Sequence, residues 1–179
     1  MLHEDGKAMV KKILSAGMMY EELYVIKKGS RYLLVEGNTR GAAIKQIASD
    51  IETKKLIGVK TNNFKKVHCI VLKQNVSRAQ IRRFLAEIHI SGRRDWPAEN
   101  KGAMIYDMIN EDAESFQSIG DHLAMSRKAV EDLYKSYKMT VEFGKRYSTL
   151  NYKRYFSYWH EFFKKKTLQI QADADPSFK

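Results

Sequence analysis

Residues 31–47, RYLLVEGNTRGAAIKQI, order the reading of everything around them. Tyr32, Leu33, Leu34 and Val35 are aromatic or branched apolar residues that favour a buried strand. Glu36-Gly37-Asn38-Thr39-Arg40 then interrupts, and Ala42, Ala43, Ile44 and Ile47 resume at helical spacing. A strand that runs through a glycine turn straight into a helix aims backbone N–H groups, with the helix's positive end, at one spot. Such a spot suits a phosphate, and Arg40 beside it offers a bidentate contact. The same residues equally describe a tight strand–helix turn whose glycine serves only the backbone. Local geometry leaves the two readings level.

Upstream, residues 4–16 carry Met9, Val10, Ile13 and Leu14 at helical spacing and end at Gly17, a usual helix stop. Glu22 to Ile26 and Tyr32 to Val35 flank Lys27-Lys28-Gly29-Ser30, which predicts a β-hairpin. Downstream, Ile51 to Lys66 is polar and lysine-rich and contains Thr61-Asn62-Asn63, the composition of a surface connection. Val67 to Leu72 reads as a further strand, completing a small mixed sheet with the hairpin. Cys69 lies inside that apolar run and is expected to be a reduced core thiol; as the single cysteine it excludes an internal disulfide.

From Ser77 the character becomes helical. Ser77 can cap a helix whose face is Ile81, Phe84, Leu85 and Ile88, with Arg78, Arg82 and Arg83 away from it. His89 to Pro97 form a break, Pro97 suits the first turn of the next helix, and Met104, Ile105, Met108 and Ile109 supply its apolar face. In SFQSIGDHLAMSRKAVEDLYK, residues 115–135, Phe116, Ile119 and Leu123 precede a turn at Ala124-Met125-Ser126, and Val130 and Leu133 follow it. That spacing matches a helix-turn-helix whose second helix, capped by Ser126, exposes Arg127, Lys128, Glu131 and Lys135. Two packed helices of any small bundle give a similar pattern. Residues 151–166 place Tyr152, Tyr155, Phe156, Trp159, Phe162 and Phe163 along one helical stripe among Lys153, Arg154 and Lys164 to Lys166. Aromatics interleaved with bases can stack single-stranded bases, but core or a partner interface is the commoner role. The tail from Ala172 is expected to fray.

EGNTRGAAIKQI is similar to the "vveGnrRlaAlk" segment of the ParB/sulfiredoxin superfamily N-terminal domain. VKKILSAGMMYEELYVIKKGSRYLLVEG upstream follows that family's helix, glycine, strand, hairpin and strand order. VHCIVLK, IHISGRRDWPAENKGAMIYDM and the helix-turn-helix segment then come in the order seen in plasmid ParB/KorB-type proteins, so the resemblance covers roughly residues 7–137. It implies a nucleoside triphosphate (CTP or ATP) with Mg as ligand. Gly37, Asn38, Thr39 and Arg40 would hold the phosphates, with His89 and Arg93 in the second motif. The chain departs from the family at Ala42, where a further arginine is usual, and at Asn38-Thr39, which replace an acidic–basic pair. His89 stands where the second motif has its metal-binding acid. Asn38 also occupies the position of sulfiredoxin's catalytic cysteine, which disfavours sulfinic acid reduction. Some superfamily members act as nucleases, which implies a metal-binding or basic role for Glu36; an acid that pairs with Arg40 is the plainer alternative. His68, His89 and His122 have no metal-ligand spacing, so no metal site is expected. The family's domain carries more chain before the first helix, so a trimmed or short variant is expected.

A net charge of +11 with 44% hydrophobic and 11% aromatic residues describes a folded protein suited to a polyanionic partner. The expected fold class is α+β: a small mixed β-sheet ParB/sulfiredoxin-like domain over 1–75, then a helical helix-turn-helix region over 76–140. An aromatic and basic C-terminal helix and tail would occupy 141–179. The expected function is DNA binding in partition or transcriptional control, modulated by a nucleotide at the EGNTR turn. A nucleotide hydrolase or metal-dependent nuclease is the second reading. The third is an interaction module that forms a homodimer or docks a protein partner through the aromatic helix. No membrane partner is expected, and the expected location is cytoplasmic, on nucleoid or plasmid.

Overall fold

A computed structural model of the chain describes residues 4–53, 55–56, 64, 66–91, 96–147 and 151–174. The fold is mixed α+β, in two compact units, Met1–Val76 and Ser77–Lys179. The first holds α1 (Glu4–Ala16), β1 (Leu23–Lys28), β2 (Arg31–Glu36), α2 (Asn38–Glu52) and β3 (Cys69–Leu72). β1 is the central strand, antiparallel to β2 and parallel to β3, with Ile26 paired to Leu33 on one side and Leu72 on the other. Gly29, at φ +59°, supplies the left-handed residue that a two-residue hairpin loop needs at its first position.

α1 packs on α2 through Ile13, Ala43, Ile44 and Ile47. Phe64 joins them at 4% exposure, so the lysine-rich connection contributes to the core instead of lying wholly on the surface. Lys54, Lys60 and Lys65 of that connection fall outside the described residues. Two strand expectations need correction. β2 and β3 are the edges of the sheet, so Tyr32 and Leu33 are 59% and 50% exposed and Cys69 is an exposed thiol, not a core one. Only β1 has neighbours on both sides, and Leu23, Val25 and Ile26 are buried on it.

The second unit begins with α3 (Arg78–Ala86), opened by a complete capping box in which the Ser77 hydroxyl accepts from Gln80 N–H and the Gln80 side chain accepts from Ser77 N–H. A π-helical turn, Glu87–Ser91, extends it, so His89 sits inside the helix end and not in a break. The insertion turns Ala86, His89 and Ile90 inward, while the anticipated face of Ile81, Phe84, Leu85 and Ile88 is half-buried. α4 (Ala98–Asn110) follows Pro97 and buries Ile105 and Met108 completely. α5 (Phe116–Leu123) and α6 (Arg127–Arg146) add Ile119, Leu123, Val130 and Leu133 to the same core. The anticipated limit at residue 140 falls inside α6, where Thr140 is fully buried.

The C-terminal stretch is not one helix. A 3₁₀ turn (Tyr152–Tyr155), α7 (Phe156–Lys164) and α8 (Lys166–Ala174) are separated by the extended residue Lys165, and α8 stays helical beyond Ala172. Gly102 sets how closely α4 meets α6 and α7, because a Cβ there would lie 2.9 Å from a Phe156 ring carbon and 3.1 Å from the Leu133 carbonyl oxygen. Gly102→Ala is therefore expected to destabilise the unit by about 1–2 kcal/mol. Overpacking of about 1–3 kcal/mol outweighs the helix-propensity gain of about 1 kcal/mol. A urea midpoint that rises would overturn this.

Candidate nucleic-acid interface

In the first unit the strand–turn–helix forms as its sequence implies. Gly37 has φ +99°, and a Cβ on it would meet the Leu23 side chain at 2.5 Å, so both backbone and space require glycine. α2 has no side-chain N-cap, and Asn38 and Thr39 are exposed at its start. Arg40, however, turns inward and is 7% exposed. Its Nη1 donates to the Glu21 carboxylate, its Nη2 donates to the Glu22 carbonyl oxygen at 3.2 Å, and the Glu36 carboxylate lies 3.7 Å from Nη2. Two carboxylates against one guanidinium leave the cluster with a net negative charge. A phosphate arriving there would have to displace an acid from a buried cation. Arg40 thus ties the entry of β1 and the end of β2 to the first turn of α2, and Glu36 is its partner.

The residues assigned to a second nucleotide motif belong to the other unit. His89 is 6% exposed and stacks on Trp96, ring centroids 4.2 Å apart and planes within 9°. The His89 carbonyl oxygen accepts from Trp96 N–H at 2.9 Å, closing the loop between α3 and α4. Arg93 lies outside the described residues. Among the described residues no group of three His, Cys, Asp or Glu side chains is placed to hold a metal ion.

α5, the turn and α6 form a compact helix–turn–helix. α5 is opened by Ser115, whose hydroxyl accepts from Ser118 N–H at 3.1 Å, and is closed by Ala124 in the left-handed conformation, φ +53°. Gly120 lets the turn fold back, since a Cβ there would sit 2.8 Å from the Met125 carbonyl oxygen. Met125 N–H donates to the Gly120 carbonyl oxygen at 2.9 Å. Ser126 then caps α6 by accepting from Ala129 N–H at 3.1 Å. Ala124 has a Cβ where the left-handed region favours glycine. Ala124→Gly is expected to stabilise the unit by about 0.5–1 kcal/mol in thermal unfolding, the strain relieved exceeding the added chain entropy. A lowered midpoint would refute it.

Ser126, Arg127, Lys128 and Lys135 are exposed on one end of α6, and Glu131 is half-buried between them. Arg127 pairs with Glu131 at 2.8 Å, Lys128 with Asp132, and Lys135 with Glu131 at 3.9 Å. Arg127 and Lys135 are exposed cations whose ion pairs are worth about 0–1 kcal/mol, so a phosphate can take either at little cost, whereas Lys128 is held by the buried carboxylate of Asp132.

A clamp that local sequence patterns do not reveal fixes α5. Arg82 on α3 donates through Nε and Nη2 to both Asp112 oxygens at 2.7 Å, and through Nη1 to Glu111 at 2.5 Å. Arg83 grips Glu114 through two 2.7 Å bonds, and Ser118 on α5 donates to the same carboxylate at 3.2 Å. Ser91 adds a bond to the Leu123 carbonyl oxygen at 3.0 Å. These hydrogen bonds hold the Asp112 and Glu114 carboxyls below the usual carboxylate range and make the Arg82 and Arg83 guanidinium groups still harder to deprotonate. The readable signal was complementary charge: Arg82-Arg83 on one helix, and three acids at 111, 112 and 114 in a short connection. No protein-family model matches the sequence, and no curated protein is significantly similar to it.

Proposed function

We propose that the second unit binds duplex DNA, with α6 entering the major groove and α5 crossing the backbone, in partition or transcriptional control. One observation carries this reading. A capped helix bearing Arg127, Lys128 and Lys135 on solvent is held at a fixed angle by a turn that Gly120 and Ala124 shape. The positive end of α6 suits a phosphate beside Arg127 and Lys128, and Glu131 offers an acceptor for a cytosine amino group. The net charge of +11 supplies the non-specific attraction, and the ParB/KorB-like order of segments agrees with the same role. A nucleotide step through Arg40 gains no support, since its guanidinium is already matched by Glu21 and Glu36.

The double substitution Arg127→Ala with Lys128→Ala tests the reading. Duplex affinity at about 0.1 M salt is expected to fall at least about tenfold, and the slope of log K against log salt to shrink by roughly two. Anisotropy titration of a labelled duplex across a salt series measures both. An unchanged slope would sink the proposal, because these two cations would then not be neutralising phosphates.

A further inference from the structure

The final helices of the second unit leave an open groove of about 500 Å³ that duplex binding by α5 and α6 does not use. Tyr155, Tyr158, Trp159 and Phe162 line it, together with Glu161 and with Leu168 from α8. The groove is braced, since the Gln169 side-chain amide donates to the Phe163 carbonyl oxygen at 2.6 Å and Lys165 N–H donates to the Phe162 carbonyl oxygen at 3.2 Å.

Three features define what would fill it. Tyr158 is 72% exposed, and its ring lies 6.1 Å from that of Tyr155, so aromatic surface stands in solvent. The Trp159 ring lines the groove while its indole N–H is buried away from solvent, so the indole offers ring surface and not a polar contact. Lys153, Arg154, Lys164, Lys165 and Lys166 are all exposed along residues 151–168, where Glu161 is the only acid, and Lys164 already reaches Glu161 at 3.4 Å.

We propose that this groove binds single-stranded nucleic acid. Bases stack on Tyr155 and Tyr158, and the exposed lysines and arginine of the same segment draw the phosphates. A second copy of the same face would bring five cations against five. An acidic amphipathic peptide would meet the charge, but four of the seven lining residues carry rings, whose flat faces fit a flat base better than a helix's aliphatic knobs. The inference stands apart from duplex binding by α6, because it uses other residues.

The experiment titrates the full chain against a labelled oligo-dT of roughly 15 nucleotides, a duplex of equal length and an acidic Glu/Leu peptide. Oligo-dT is expected to bind with a salt-dependent affinity and to quench tryptophan emission. Tyr158→Ala, at a site too exposed to matter for folding, should weaken oligo-dT about tenfold and leave the duplex within twofold. Arg127→Ala with Lys128→Ala should do the reverse, so failure here and failure of the duplex reading are distinguishable. The proposal is overturned if oligo-dT does not bind at low salt, or if Tyr158→Ala leaves its affinity unchanged. It also falls if the acidic peptide binds more tightly than oligo-dT, or if sedimentation shows a dimer that Tyr158→Ala dissociates.

Discussion

Arg82→Ala will destabilise the second unit by about 2–3 kcal/mol at neutral pH, and that loss will shrink as pH falls below the usual carboxylate range. The magnitude follows from what the substitution leaves behind. Asp112 has a side chain only 6% exposed, and its two oxygens take their bonds from one guanidinium. Removing one member of a buried pair costs about 3–5 kcal/mol, and the 17% exposure of Arg82 moves the expectation to or below the low end of that range. The pH dependence has a definite sign. Chiefly through the Arg82 hydrogen bond, the Asp112 carboxyl is held below its ordinary value, so its stabilisation is present above the usual carboxylate range and is lost as pH falls through the lowered value. Glu114 behaves alike through Arg83. Asp107, raised chiefly by burial, works in the opposite direction and softens the acid lability of the native chain. Below that lowered value Asp112 is neutral with or without Arg82, so the difference between the two proteins narrows. Both tryptophans, Trp96 and Trp159, lie in the second unit, so urea unfolding followed by their emission at pH 7 and at about pH 3 reports on it directly. A neutral-pH loss below about 1 kcal/mol would show the clamp to be an ordinary surface pair.

That clamp also marks where sequence reading stops. Elements written in short-range signals were legible: the Gly29 hairpin, the Ser77 and Ser126 caps, and the 116–133 spacing that places Ile119, Leu123, Val130 and Leu133 inside. Each rests on residues a few positions apart, whose geometry the chain fixes locally. The direction of Arg40 was not legible in that way. The Glu36 pair four positions away was legible as an alternative, but the hydrogen-bonding acid Glu21 is 19 positions away, and the glycine turn looks the same whether the guanidinium faces a ligand or the interior. Exposure of Tyr32 and Cys69 depends on strand order, and an apolar run does not say whether its strand has one neighbour or two. The π-helical turn at Glu87–Ser91 shifted the buried face of α3 by a residue that no periodicity predicts. The ends of the candidate DNA-reading helix were thus readable, while the arginine clamp that aims it was visible only as unassigned charge.

Ile119→Ala carries the largest expected loss, about 3–5 kcal/mol. Ile119 is fully buried within a core drawn from α3, its π-helical extension, α4, α5, α6 and α7, including Ile105, Met108 and Val130. Truncating it removes three carbons' worth of buried surface and leaves a cavity. Collapse into that cavity is resisted because α5 is pinned on two sides, by the Arg82 and Arg83 bonds to the preceding connection and by the close approach of Gly120 to the Met125 carbonyl. A site that cannot close pays near the top of the range for such truncations. At about 4–8 °C per kcal/mol for a unit of this size, the thermal midpoint should fall by roughly 12–40 °C, whereas Ile119→Val should cost only about 1 kcal/mol. Since the Ile119 side chain faces the core and not the α6 surface, the proposed duplex binding should stay within a few-fold of the parent's when assayed well below the variant's midpoint. If instead the midpoint moves by only a few degrees, α5 is free to shift, and a helix that shifts that easily would not hold α6 in a defined register on DNA.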